Sequence, residues 1–142
     1  MRRLMIVLTM MIAGAAGVSA QPQGAEAAVR KAIEDHYFKA HATGSGESLK
    51  GMFIDEGRMM WVQDGQLRTR TSADYIGGFS GKPAADEAKR KRRVLMVDVT
   101  GDAAVAKVEL DNPGARLIDY FTLLRLGGEW KIVHKSFVRM PQ

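Results

Sequence analysis

Residues 116–138 constrain this chain more than any other stretch. Two segments of alternating polarity flank Gly127-Gly128, a dipeptide that supplies the positive φ angles of a tight hairpin turn. With a loop of these two residues, or of four with Leu126 and Glu129 added, the pairing is the same. Arg125 faces Trp130, Leu123 faces Ile132, Phe121 faces His134 and Asp119 faces Ser136. Side chains alternate along a strand, so Leu117, Asp119, Phe121, Leu123, Trp130, Ile132, His134 and Val138 are predicted to share one face. Asp119 and His134 interrupt that apolar face as diagonal neighbours, about 7–8 Å apart at Cα. They are the candidate catalytic pair. The plainer reading is that the two satisfy each other as buried polar groups.

A chain of 142 residues, 46% hydrophobic and 26% charged, is enough for one globular domain and too short for two ordinary ones. With no cysteine, a thiolate metal site, a cysteine nucleophile, a disulfide and a lipid-bearing cysteine are all excluded. Arg2-Arg3, the apolar run 4–12 and Val18-Ser19-Ala20 read as a secretory signal cleaved after Ala20. The apolar run falls short of the ~20 residues that a membrane span needs. The expectation is therefore a single domain over residues 21–142, secreted or periplasmic, with no stable membrane anchor after cleavage. Losing Arg2 and Arg3 lowers the net charge from +5 to +3, which favours anionic partners only weakly.

Apolar residues recur at helical spacing over 24–42, including Val29, Ile33, Tyr37 and Ala40. His36 lies at the edge of that stripe beside Tyr37 and is a candidate ligand contact. His36 and His41 are five apart and face different ways, so no helical metal pair exists and no metal is expected. Ser45 can cap a second short helix over 46–53. Strands 58–63 and 66–70 flank Asp64-Gly65, with Met60, Val62, Leu67 and Thr69 on one face and Met59, Trp61, Arg68 and Arg70 on the other. Trp61 can stack on Arg68, although a solvated flank is the plainer reading. Thr71 and Ser72 can cap a third helix carrying Tyr75, Ile76 and Phe79. Residues 80–87 read as a loop and a candidate mouth.

The basic run 89–93 lacks interleaved aromatics and reads as a solvated strand start, so no nucleic acid is expected. It leads into strand 94–100, which pairs with 103–110 through Gly101-Asp102. Leu95, Val97, Val99, Ala104, Ala106 and Val108 are predicted to form one apolar face, with small residues leaving room for a pocket. Arg93 is predicted at the end of that face, where it would meet an anionic ligand.

Several segments together carry a resemblance. They are Tyr37 followed by His41-Ala42-Thr43-Gly44, then Gly101-Asp102-Ala103-Ala104-Val105-Ala106, then Asp119-Tyr120-Phe121 with Leu123-Leu124. Gly128-Glu129-Trp130-Lys131-Ile132-Val133 and Lys135-Ser136-Phe137 complete the set. In order and spacing they resemble the nuclear-transport-factor-2-like superfamily, and within it the family called putative lumazine-binding, from about Ala27 to Phe137. The resemblance implies an α+β cone, a strongly curved and mostly antiparallel sheet wrapped around about three helices. The superfamily includes isomerases, dehydratases, cyclases and non-catalytic binding modules, so fold does not decide function.

The expected function is an exported small-molecule binder with no cofactor. Its ligand, a flat heterocycle or an anionic compound, would lie between helices and sheet among Tyr37, Tyr75, Phe79, Phe121 and Trp130, with His36 and Arg93 nearby. The first alternative is a ketosteroid-isomerase-like or dehydratase-like enzyme using Asp119 and His134 as general base, with Tyr37 or Tyr75 as donor. The second is a protein-interaction module. The resemblance implies a homodimer through the outer sheet face, here Ile118, Tyr120, Leu124, Val133 and Phe137.

Overall fold

The computed structural model describes residues 21–142; the leader read into residues 1–20 lies outside them. Val29, Ile33, Tyr37 and Ala40 form one fully buried stripe along the first helix. That helix runs as α1 (Gln21–Ala32), a π-helical stretch (Ile33–Phe38) and α2 (Lys39–Thr43). The π stretch adds slack to the turn that presents Tyr37, a common device at functional positions. Gly44 ends the helix in the left-handed region, φ 67°. A Cβ on Gly44 would lie 1.7 Å from the Lys82 carbonyl oxygen, so the chain can pass here only over glycine.

Ser45 accepts a hydrogen bond from the Glu47 amide and opens a 3-10 turn (Gly46–Leu49), shorter than the helix expected over 46–53. The Ile132 amide donates to the Met52 carbonyl at 2.7 Å, and Phe53 pairs with Ile132. Strands β1 (Phe53–Gln63) and β2 (Gln66–Thr71) make the first hairpin, with the predicted register throughout. Thr71 caps α3 (Ser72–Gly77) by accepting from the Asp74 amide. After a 3-10 turn (Glu87–Lys89), β3 (Lys91–Thr100), β4 (Ala103–Asn112), β5 (Ala115–Leu126) and β6 (Glu129–Pro141) follow as hairpins. The six strands form one curved, unclosed sheet in the order β2-β1-β6-β5-β4-β3, antiparallel except where β1 meets β6. The helix stripe packs into its concave face against Val108, Leu110, Phe121, Leu123 and Ile132.

Two β-bulges correct the predicted faces. In β6, Thr122 pairs with His134 but Leu123 pairs with Ile132, so Val133 is an extra residue. The pairing next to the turn is as predicted. Beyond the bulge Asp119 pairs with Phe137 and Phe121 pairs with Lys135. A one-residue slip exchanges faces. Lys135 and Phe137 therefore turn into the cone, while His134 and Val138 turn out.

In β3, Val94 pairs with Val108 but Met96 pairs with Lys107, which makes Leu95 the extra residue and leaves it exposed. Arg92 then faces inward opposite Leu110, and Arg93 faces outward opposite Glu109. On the outer face, Tyr120 is 46% and Leu124 38% exposed, and Val62, Leu67, Val105 and Val138 are more open than Leu124 as well. Ile118 is almost covered at 9%. Phe137 no longer belongs to that face.

Candidate functional site

Tyr37 anchors a buried polar cluster inside an otherwise apolar cone. The Tyr37 hydroxyl donates to Asp119 Oδ2 at 2.7 Å, and Lys135 Nζ donates to the Tyr37 oxygen at 2.5 Å. Lys135 Nζ also stands 3.3 Å from Asp119 Oδ1, an oxygen with no hydrogen-bond partner among the described residues. The Tyr75 hydroxyl donates to Tyr37 at 3.2 Å, and His41 Nε2 lies 2.9 Å from the Tyr75 oxygen. Each tyrosine has one proton to give. With those of Tyr37 and Tyr75 committed inward, His41 is the donor to Tyr75, as its Nε2–H tautomer. The chain His41, Tyr75, Tyr37, Asp119 is therefore directional.

Aromatic faces surround the ammonium of Lys135. Its nitrogen lies 5.0 Å from the ring centres of Tyr37 and Phe137 and 4.9 Å from that of Tyr75, within cation–π range. Burial pulls the Lys135 pKa down, but Asp119 and Tyr75 outweigh it, and the value ends above the ordinary one. Burial, with the Asp119 charge, raises the Tyr37 hydroxyl well above its usual range. Burial raises Tyr75 too, against an opposing pull from Lys135. His41 is brought down to about 3 by burial and by the positive charges of Lys135, Arg92 and Arg90. Near neutral pH the site thus holds a charged lysine, a neutral imidazole and two neutral phenols.

This cluster floors a cavity of about 140 Å³, walled by Trp61, Tyr75, Phe137 and Leu117, with Lys135, His41 and Arg70 supplying its polar groups. Trp61 stacks on Phe137 at 5.2 Å, and the Arg70 guanidinium lies 5.9 Å from the Trp61 ring. His41, Tyr75 and Arg70 also border an outer depression of about 360 Å³ that includes Phe79, Ser80 and Lys82. The segment around Gly81 is tied to the helix end by the Gly81 amide, which donates to the Gly44 carbonyl at 2.8 Å.

The candidates from sequence divide cleanly. Tyr37, Tyr75, Asp119 and Phe121 meet at one place, with Phe121 edge-on to Tyr37 at 4.9 Å, and Phe79 packs on His41 at 5.3 Å. His36 does not reach the cavity; its Nδ1 lies 2.9 Å from the Ser48 carbonyl and pins the 3-10 turn. Trp130 borders a separate depression of about 340 Å³ beside Ala25 and Ala28. Arg93 pairs with Glu109 on the outer face. His134 is separated from Asp119 by the sheet. Sequence reasoning missed His41, Lys135 and the cavity positions of Trp61 and Arg70. The four-residue step from Tyr37 marks His41 as its helical neighbour, and their rings lie 4.7 Å apart. Among the described residues no three His, Asp or Glu side chains converge as a metal site.

The model of the family described as putative lumazine-binding matches residues 24–138. The chain belongs to the putative lumazine-binding family. Solved NTF2-like proteins share its fold. One from Silicibacter pomeroyi DSS-3 is 25% identical with a TM-score of 0.72, covering 83% of this chain and 98% of its own. Another from Methylobacillus flagellatus KT is 26% identical with a TM-score of 0.65, covering 78% and 88%. Both are described as proteins of unknown function. A curated relative, Aldolase FrzH from Cladobotryum sp, is 23% identical over 106 residues, 75% of this chain and 85% of its own length. In this member of the putative lumazine-binding family, the bulge in β6 determines which basic residue meets Asp119.

Proposed function

We propose that this chain is an exported small-molecule-binding protein whose ligand occupies the cavity over Lys135. The observation that carries the reading is a buried Lys135–Asp119–Tyr37 cluster opening on an aromatic-walled space. Burying a lysine and an aspartate is costly unless their geometry and hydrogen bonds are good. An enclosed apolar cavity with a few convergent polar groups is the usual form of a ligand site. A thermal-shift screen of small aromatic and heterocyclic compounds tests the reading, with Leu117→Trp as a variant that fills the cavity. Compounds that raise the wild-type Tm and leave Leu117→Trp unmoved support it. Equal shifts in both proteins move the site elsewhere.

The leader sequence supports a secreted or periplasmic location, and N-terminal sequencing of the exported protein should begin at Gln21. The exposed apolar side chains of the outer sheet face support a homodimer, with Tyr120 and Leu124 inside the contact.

A second reading, enzymatic, is favoured by the relative named as an aldolase and by the directional chain from His41 to Asp119. Lys135 is poorly suited to form a Schiff base, because its charge is held rather than released. Its ammonium suits stabilisation of an enolate oxygen instead, with Tyr75 holding Tyr37 in place beneath it. Proton NMR in D₂O tests this with small ketones as probes. Exchange at the carbon beside the carbonyl, lost in Tyr75→Phe, is expected; absence of exchange in the wild type removes the reading.

A further inference from the structure

We infer that the ligand of this cavity is a planar monocyclic carboxylate, its ring enclosed above Lys135 and its carboxylate at the mouth on Arg70. The inference rests on the ligand-binding reading above and specifies the chemistry of that ligand. Size comes first. A dry protein cavity of about 150 Å³ holds benzene, and the space here is about 140 Å³. A single six-membered ring fits inside, whereas a fused bicycle would project through the mouth.

Wall chemistry agrees. Trp61, Phe137 and Tyr75 line the space with aromatic carbon, and Leu117 and Met59 with aliphatic groups, so an apolar ring meets an apolar wall.

Charge then fixes the orientation. At the inner end Lys135 is already balanced by Asp119 at 3.3 Å, and His41 is neutral, so a second anion placed there would leave two negative charges sharing one ammonium. At the outer end Arg70 forms no ion pair among the described residues, and neither does Lys82 in the adjoining depression. Arg70 lies against Trp61, which holds its guanidinium beside the ring space. A guanidinium presents two parallel N–H groups to a carboxylate, a geometry that an ammonium lacks. The role expected of Arg93 from sequence thus passes to Arg70, from the opposite edge of the sheet.

Calorimetric titration of the full chain with benzoate and with benzamide, its neutral isostere, tests the inference. Benzoate is expected to bind about tenfold more tightly than benzamide. Arg70→Gln should abolish that preference. Arg68→Gln, which removes the same charge from the same strand but borders neither cavity, should preserve it. Circular dichroism of both variants should match the wild type, since both residues are exposed. Equal affinities in the wild type, or a preference that survives Arg70→Gln, would overturn the inference while leaving the cavity as a binding site for neutral rings. Binding of neither compound would overturn it together with the ring site itself.

Discussion

Lys135 and Asp119 face each other at 3.3 Å with side chains that are 4% and 0% exposed. Both charges are withdrawn from bulk solvent, so each depends on the other and on the Tyr37 hydroxyl between them. Removing one partner of such a pair strands the other in a low-dielectric interior.

Asp119→Asn and Lys135→Met should therefore each lower stability by about 3–5 kcal/mol. The double variant Asp119→Asn/Lys135→Met should lose less than the sum of the two. Urea unfolding of all four proteins reads the coupling, and strict additivity would show that the two charges stabilise the fold independently.

His41 makes acid stability informative. Its folded pKa of about 3 lies below the ordinary 6.5, so between these values the unfolded chain binds a proton that the folded chain refuses. The resulting contribution is fully present above pH 6.5 and is lost progressively as pH falls toward 3, with a slope of up to about 1.4 kcal/mol per pH unit. His41→Gln should flatten that part of the profile. A profile unchanged by the substitution would mean that His41 titrates normally.

Gly44→Ala should be destabilising and should also disturb the mouth. Both the positive φ and the 1.7 Å approach of a Cβ to the Lys82 carbonyl oppose the substitution. The expected loss exceeds the roughly 1 kcal/mol of a simple glycine-to-alanine conflict, because backbone must move. Amide exchange at Gly81, which donates to the Gly44 carbonyl, reports the displacement; protection equal to the wild type would contradict it.

Tyr120→Glu places a charge in the centre of the proposed outer-face contact, where the native side chain is 46% exposed. Light scattering should give a dimer mass for the wild type and a monomer mass for the variant, with ligand binding retained. An unchanged mass in the variant would remove this face as the interface.

Much of this was legible from sequence, and what was not has a specific cause. Near Gly127-Gly128 the alternation fixed Leu123 against Ile132 and Arg125 against Trp130, as found. Further along β6, His134 and Lys135 are adjacent and both polar, so alternation cannot tell which one faces inward. The extra Val133 settles it by geometry that composition does not encode. Arg92 and Arg93 pose the same problem ahead of the bulge at Leu95. Asp119 and Tyr37 were recognisable as buried polar groups because each interrupts or joins an apolar face. Arg70 was not, because an arginine on a short hairpin looks solvated until the stacked Trp61 and Phe137 are seen beneath it.

The most direct measurement is a crystal structure of the protein with the compound that most raises its Tm in the screen. Ligand density is expected between Trp61, Tyr75 and Phe137, in contact with Lys135. Density confined to the depression beside Trp130, or to the outer sheet face, would contradict it.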